Sequence, residues 1–160
     1  MKVFIGSTRF NSESLNQNEE YKNKNNISGV IYGSQLKITS KCPINSILFV
    51  IEMNNDTNKI NGIGLIRNNL QIDRNYYLYT NCNWNRHIYR GDYWISRNII
   101  YNNDQILVEK LENCLFKGKG NVKRISGISL LTEKNYKKWE LDELRIKNFL
   151  RNIFIHQFKQ

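Results

Sequence analysis

The sequence predicts an α+β fold in which short strands curve into a small barrel and helices stand near each end. Three observations predict it. Residues 46–53, SILFVIEM, are a continuous β-branched and aromatic run of strand length, and residues 59–68, KINGIGLIRN, follow it after the turn residues NNDTN. Glycines 62 and 64 inside the second run mark a bulge or a close backbone approach in a curved sheet. In the tail, Leu141, Leu144, Ile146, Phe149, Leu150, Ile153, Phe154 and Phe158 recur at close to helical spacing.

In chain order, the first expected element is a short strand at Val3–Ile5. In the polar stretch 11–26, Asn16 stands three residues before Glu19, a capping-box spacing that starts a short helix. Residues 29–33, GVIYG, form a brief apolar run, and a loop around the single proline, Pro43, follows. The 46–68 hairpin is too apolar for a sheet with one face in water, which places it centrally. Further strands are expected at 76–80 and 88–96. Ile106, Leu107 and Leu111 fit a short helix over 104–112, with a strand as the alternative. A basic, glycine-rich loop, FKGKGNVKRISG, precedes the terminal amphipathic helix at 141–158. No repeat and no long linker divides the chain, so residues 1–160 are expected to form one domain.

The chain has 160 residues with 40% hydrophobic and 12% aromatic content, enough to bury a core beneath a polar surface (mean hydropathy -0.59). It holds 25 Asn and 21 Ile but no Ala, a bias toward A/T-rich codons that explains much of the asparagine without any function. The net charge of +10, from 24 basic and 14 acidic residues, favours polyanionic partners through counterion release and steering. Cys42, Cys82 and Cys114 are far apart, lack metal-ligand spacing and read as reduced thiols. No signal peptide and no membrane-length apolar run is present, so a soluble, intracellular (cytoplasmic) protein is expected, without metal or cofactor.

Motifs for catalysis are sparse: there is no nucleophile elbow, phosphate loop or HExxH. Glu52 within ILFVIEM and His87 are the groups that a small nucleic-acid-processing enzyme would use, while His156 lies in the terminal helix. The loop residues Lys117, Lys119, Lys123 and Arg124 sit among glycines that let backbone N–H groups approach a phosphate. Residues 83–97, NWNRHIYRGDYWISR, interleave Trp84, Tyr89 and Trp94 with Arg86 and Arg90. Single-strand binders use that composition, because rings stack on bases while guanidiniums neutralise phosphates. Strand alternation sets Tyr89 on the face opposite Ile88.

The order of KVFI at 2–5, IYGS at 31–34, LFVIEMNN and INGIGLI at 48–66, YRG at 89–91, KRISG at 123–127 and a terminal helix resembles the YTH domain. It is also similar to the EVE and ASCH relatives of the PUA-like group, and the hairpin wording resembles proteins of large cytoplasmic DNA viruses. The resemblance implies a PUA-like, small curved β-barrel flanked by helices that binds single-stranded RNA and takes N6-methyladenosine into an aromatic cage. It sets Tyr32 and Tyr89 at the two cage positions, where the family has tryptophan, with Trp84 or Trp94 as a third wall. Asn11 or Ser12 is set to read a base edge and Arg124 to contact phosphate, with Arg86, Arg90, Lys117, Lys119 and Lys123 along the backbone. Ser126 stands near the family's Asp. The alternatives are the small enzyme above and a viral interaction or scaffold protein whose pocket has degenerated.

Overall fold

The computed structural model describes residues 2–159. The run 46–53 becomes β3 (Ile47–Asn54), buried along its length except at its two ends. It pairs antiparallel with β4 (Lys59–Arg67) and parallel with β1 (Val3–Phe10). With β6 (Tyr93–Ser96) outside β4 and β7 (Ser129–Leu130) outside β1, the order is β6–β4–β3–β1–β7, so the hairpin is central as its composition requires. A second, two-stranded sheet pairs β2 (Val30–Ser34) with β5 (His87–Gly91).

Alternation along β3 explains the layers. Phe49, Ile51 and Met53 face α2 (Arg97–Asn103), α3 (Gln105–Phe116), α4 (Glu133–Lys138) and α5 (Glu143–Phe158), which bury Ile100, Leu107, Leu111, Tyr136, Ile146, Leu150 and Phe154 against them. Leu48 and Val50 face the small sheet and pack with Val30, Tyr32, Ile66 and Tyr89. The other face of that small sheet, Ile31 and Ile88, is covered by Tyr76 and Leu78, with Tyr21 of α1 (Ser12–Lys24) beside them. The protein is therefore α+β, with both sheets buried on both faces.

Several predicted boundaries shift for identifiable reasons. The first strand runs to Phe10, because it pairs with β3 over its whole length. The first helix begins earlier than the Asn16–Glu19 spacing suggests. Asn11 is its N-cap, accepting from Ser14 N, and Ser14 Oγ accepts from Asn11 N in return. Residues 76–80 are not a strand, since side chains take up their backbone groups. Asn85 accepts from Tyr79 N at 2.9 Å and donates to Tyr79 O at 2.7 Å, and Gln17 accepts from Thr80 N at 3.1 Å. The predicted 88–96 strand divides into β5 and β6 at a corner where Gly91 lies against the Leu65 carbonyl, and the two halves join different sheets. The helix predicted at 104–112 is α3, capped by Asp104 and extended to Phe116. The tail helix is α5, capped by Asp142.

Candidate nucleic-acid interface

The most coherent site is an open cleft of about 540 Å³, within the range of ligand pockets. Its walls come from five parts of the chain: the end of β1, the first turns of α1, β2, the turn after β3 and residues 79–84. Phe10, Tyr32, Tyr79 and Trp84 supply its rings; Asn11, Gln17, Asn55 and Thr80 supply polar groups; Arg9 supplies a cation.

Each ring is held by a separate device. Tyr32 is only 2% exposed, and its hydroxyl donates to Glu52 Oε2 at 2.6 Å. Burial, then the Glu52 charge, push the Tyr32 phenol well above its ordinary range, so it remains a donor. Glu52 has no basic partner in this network. Its Oε1 accepts from Asn61 Nδ2 at 2.8 Å and from Trp94 Nε1 at 3.1 Å. The β4 register produces this arrangement: Glu52 opposes Gly62 and Met53 opposes Ile60, which leaves Asn61 as the extra, bulged residue. Gly64 makes the fit possible, because a Cβ there would lie 2.1 Å from the Tyr32 hydroxyl.

Tyr79 is fixed at its backbone by Asn85 and at its hydroxyl by the buried Asn18, whose Nδ2 donates to Tyr79 Oη at 3.1 Å and to Ile31 O at 2.8 Å. Burial chiefly raises the Tyr79 pKa. Trp84 sits on the 3-10 turn Cys82–Asn85, which closes on β2 at Gly33, where a Cβ would lie 2.2 Å from the Trp84 carbonyl oxygen. The Arg9 guanidinium lies over the Trp84 ring, 5.7 Å from its centroid, and Arg9 Nη2 donates to Ser126 Oγ at 3.4 Å.

These contacts bring the 121–126 loop to the rim of the cleft. Asn55 Nδ2 donates to Lys123 O at 2.7 Å, while the buried Asn55 Oδ1 has no partner. Asp56, also in the wall, is held below the usual carboxylate range chiefly by hydrogen bonds from Ser12, with Ser12 N donating at 2.7 Å. Asn11 commits its side-chain oxygen to the helix cap, which leaves its amide NH2 to face the cleft.

Of the residues singled out in the sequence, Tyr32, Trp84 and Asn11 line this cleft, and Lys123 and Arg124 flank it. Tyr89 does not line it. Its register partner is Tyr32, it is 1% exposed within the core, and its hydroxyl accepts from Ile38 N at 3.0 Å. Trp94 stands behind the cleft on the Glu52 network, and Ser12 is spent on Asp56. Arg86 bonds Asn83 Oδ1 beside the 3-10 turn, and Arg90 lies on β5 opposite Ile31, away from the cleft wall. Lys117 and Lys119 belong to the loop after α3, where the Lys119 carbonyl accepts from Lys138 Nζ, also outside the wall. Glu52 and His87 do not line the cleft either. Both Glu52 oxygens are engaged, and burial followed by Lys37 and Arg86 lowers the His87 pKa.

The sequence reading missed Arg9, Phe10, Tyr79 and Asn55. Arg9 and Phe10 directly precede Asn11, and Tyr79 alternates with Tyr77, so adjacency and period-two spacing were the available signals. Among the described residues, no group of three or more His, Cys, Asp or Glu side chains is placed to hold a metal ion, and no helix is long and apolar enough to cross a membrane. No family model matches the chain, and neither a curated protein nor a solved structure does.

Proposed function

We propose that this chain is a single-stranded RNA-binding module of the PUA-like, YTH-related kind, and that it takes a modified base, N6-methyladenosine, into the cleft beside α1. The two sheets joined at the Gly91–Tyr93 corner are then the halves of a small curved barrel. The observation that carries the reading is the convergence of Tyr32, Tyr79 and Trp84, from three separate segments, on one open cleft with Arg9 beside Trp84. Flat rings stack on a base of any identity, at about 1–3 kcal/mol per base, and Arg9, Lys123 and Arg124 supply charge for adjoining phosphates. The Asn11 amide and the Thr80 and Gln17 side chains offer donors and acceptors to a base edge.

Burial of the extra methyl against rings is worth about 0.8 kcal/mol, or roughly fourfold in affinity, before any further selectivity. Matched single-stranded RNAs, with and without the methyl group, test the proposal by equilibrium titration. Tighter binding of the methylated strand is expected, with a log–log salt slope of about -2 for three phosphate contacts. Equal affinity for both strands rejects the modified-base reader and leaves a general RNA binder. Absence of binding to either favours an interaction or scaffold protein, the reading to which the packed Tyr32–Tyr89 pair would belong.

A further inference from the structure

The cleft does not end at Thr80. Gln17 and Thr80 tie α1 to residues 76–81 through two hydrogen bonds, Thr80 N to Gln17 Oε1 at 3.1 Å and Gln17 Nε2 to Thr80 Oγ1 at 3.4 Å. On the far side of this bridge lies a second cleft of about 690 Å³, which shares Gln17, Tyr79 and Thr80 with the first.

The second cleft has the parts of a stacking platform. Residues 76–78 bury Tyr76 and Leu78 and turn Tyr77 outward, where it is 76% exposed, the most exposed aromatic ring among the described residues. An aromatic ring left in water between two buried neighbours has no packing role there. Lys24, in the last turn of α1, and Arg74 line the same cleft against one carboxylate in its wall, Glu20. Arg74 lies over the Tyr76 ring, 5.2 Å from its centroid, and is paired only loosely with Asp73 at 3.5 Å, while Tyr76 Oη donates to Asp73 Oδ1 at 2.7 Å.

We infer that the strand whose base enters the first cleft continues over the Gln17–Thr80 bridge, stacks its neighbouring base on Tyr77 and sets a phosphate against Lys24 and Arg74. The inference rests on the reading that the first cleft takes a base. It names the ligand class more closely: a single-stranded polynucleotide of two or more nucleotides, rather than a free nucleotide. The π-face of any base suits Tyr77, so this second contact adds affinity without sequence preference.

Two probes separate the clefts in the full chain: N6-methyladenosine 5′-monophosphate, followed by NMR titration, and a nine-nucleotide single-stranded RNA with that base at its centre, followed by anisotropy. Tyr77→Ala is expected to weaken the nonamer about tenfold while leaving the mononucleotide unchanged. Lys24→Gln with Arg74→Gln is expected to weaken the nonamer and flatten its salt slope by about 1.4, at about 0.7 per lost phosphate contact. Trp84→Ala is expected to weaken both probes. If Trp84→Ala weakens both but the second-cleft variants leave the nonamer unchanged, the extended path is overturned and the base cleft stands. If neither probe responds to Trp84→Ala, the base reading fails and takes this inference with it. Tyr77, Lys24 and Arg74 are exposed, so these variants test binding rather than folding.

Discussion

The buried network around Glu52 makes a prediction that requires no ligand. Tyr32→Phe keeps the ring in the cleft wall but removes its 2.6 Å hydrogen bond to the carboxylate. A hydrogen bond to a charged group contributes about 1.5–3 kcal/mol. For a chain of 160 residues, a loss of about 2 kcal/mol lowers Tm by roughly 4–8 °C. Glu52→Leu is more severe, because it strands the Tyr32 hydroxyl, the Asn61 amide and the Trp94 indole N–H together. At about 1–3 kcal/mol for each unsatisfied buried donor, a total near 3–6 kcal/mol is expected. Glu52→Gln is the mildest change. Its oxygen still accepts from Asn61 and Trp94, and the Tyr32 hydroxyl can reverse to accept from the new amide. Urea unfolding followed by tryptophan fluorescence measures all three, with the m-value held constant as the check on two-state behaviour. Combining Tyr32→Phe with Glu52→Leu closes a double-mutant cycle, with a coupling of about 1–2 kcal/mol expected because the two changes remove one shared bond. Full additivity, or a Glu52→Leu protein as stable as the parent, would refute the claim that this carboxylate anchors the cleft wall.

Three further outcomes follow from the same geometry. Tyr89→Ala removes a core ring and is expected to cost about 3–5 kcal/mol of stability, whereas Trp84→Ala, half-exposed on a turn, should chiefly reduce RNA binding; urea unfolding and titration of both variants compare them. Gly33→Ala forces a Cβ into the Trp84 carbonyl, 2.2 Å away, so the 3-10 turn must shift; a weakened RNA affinity and an altered tryptophan emission are expected, and unchanged values in both would contradict the packing. At alkaline pH, the unfolded chain releases the Tyr32 proton near the ordinary value of 10.0 while the folded state holds it. Stability from this group is therefore complete below pH 10.0 and lost as pH rises above it, an alkaline slope that Tyr32→Phe should reduce in unfolding measured across that window.

Elements defined by local signals were legible in the sequence. The 46–68 hairpin, α3 and α5 were visible because their apolar runs or helical spacing are local and their turns and caps lie beside them. Tyr32, Trp84 and Asn11 were placed at the site by resemblance and by their aromatic or capping chemistry. The remainder depends on contacts distant in sequence. Residues 76–80 have strand-like alternation, but Asn85 and Gln17 claim their backbone groups, and no local pattern shows that a side chain will replace a ladder. Tyr89 and Tyr32 look equivalent in the sequence, yet their pairing across the small sheet leaves only Tyr32 beside the opening. Tyr79 takes the place beside the cleft that the resemblance gave to Tyr89. Glu52 looked like either a solvated strand end or a catalytic acid. The bulge at Asn61 decides between these, since it turns an amide toward the carboxylate and completes its set of donors.

The central claim is that a methylated base lies among Tyr32, Tyr79 and Trp84. The most direct measurement is NMR of single-stranded RNA carrying a 13C-labelled N6-methyl group, bound to the full chain. The account predicts a large upfield ring-current shift of the methyl resonance on binding, lost in Trp84→Ala, with NOEs from the methyl to Trp84 and Tyr79 ring protons. A methyl resonance that stays at its free position while the strand is bound would contradict it.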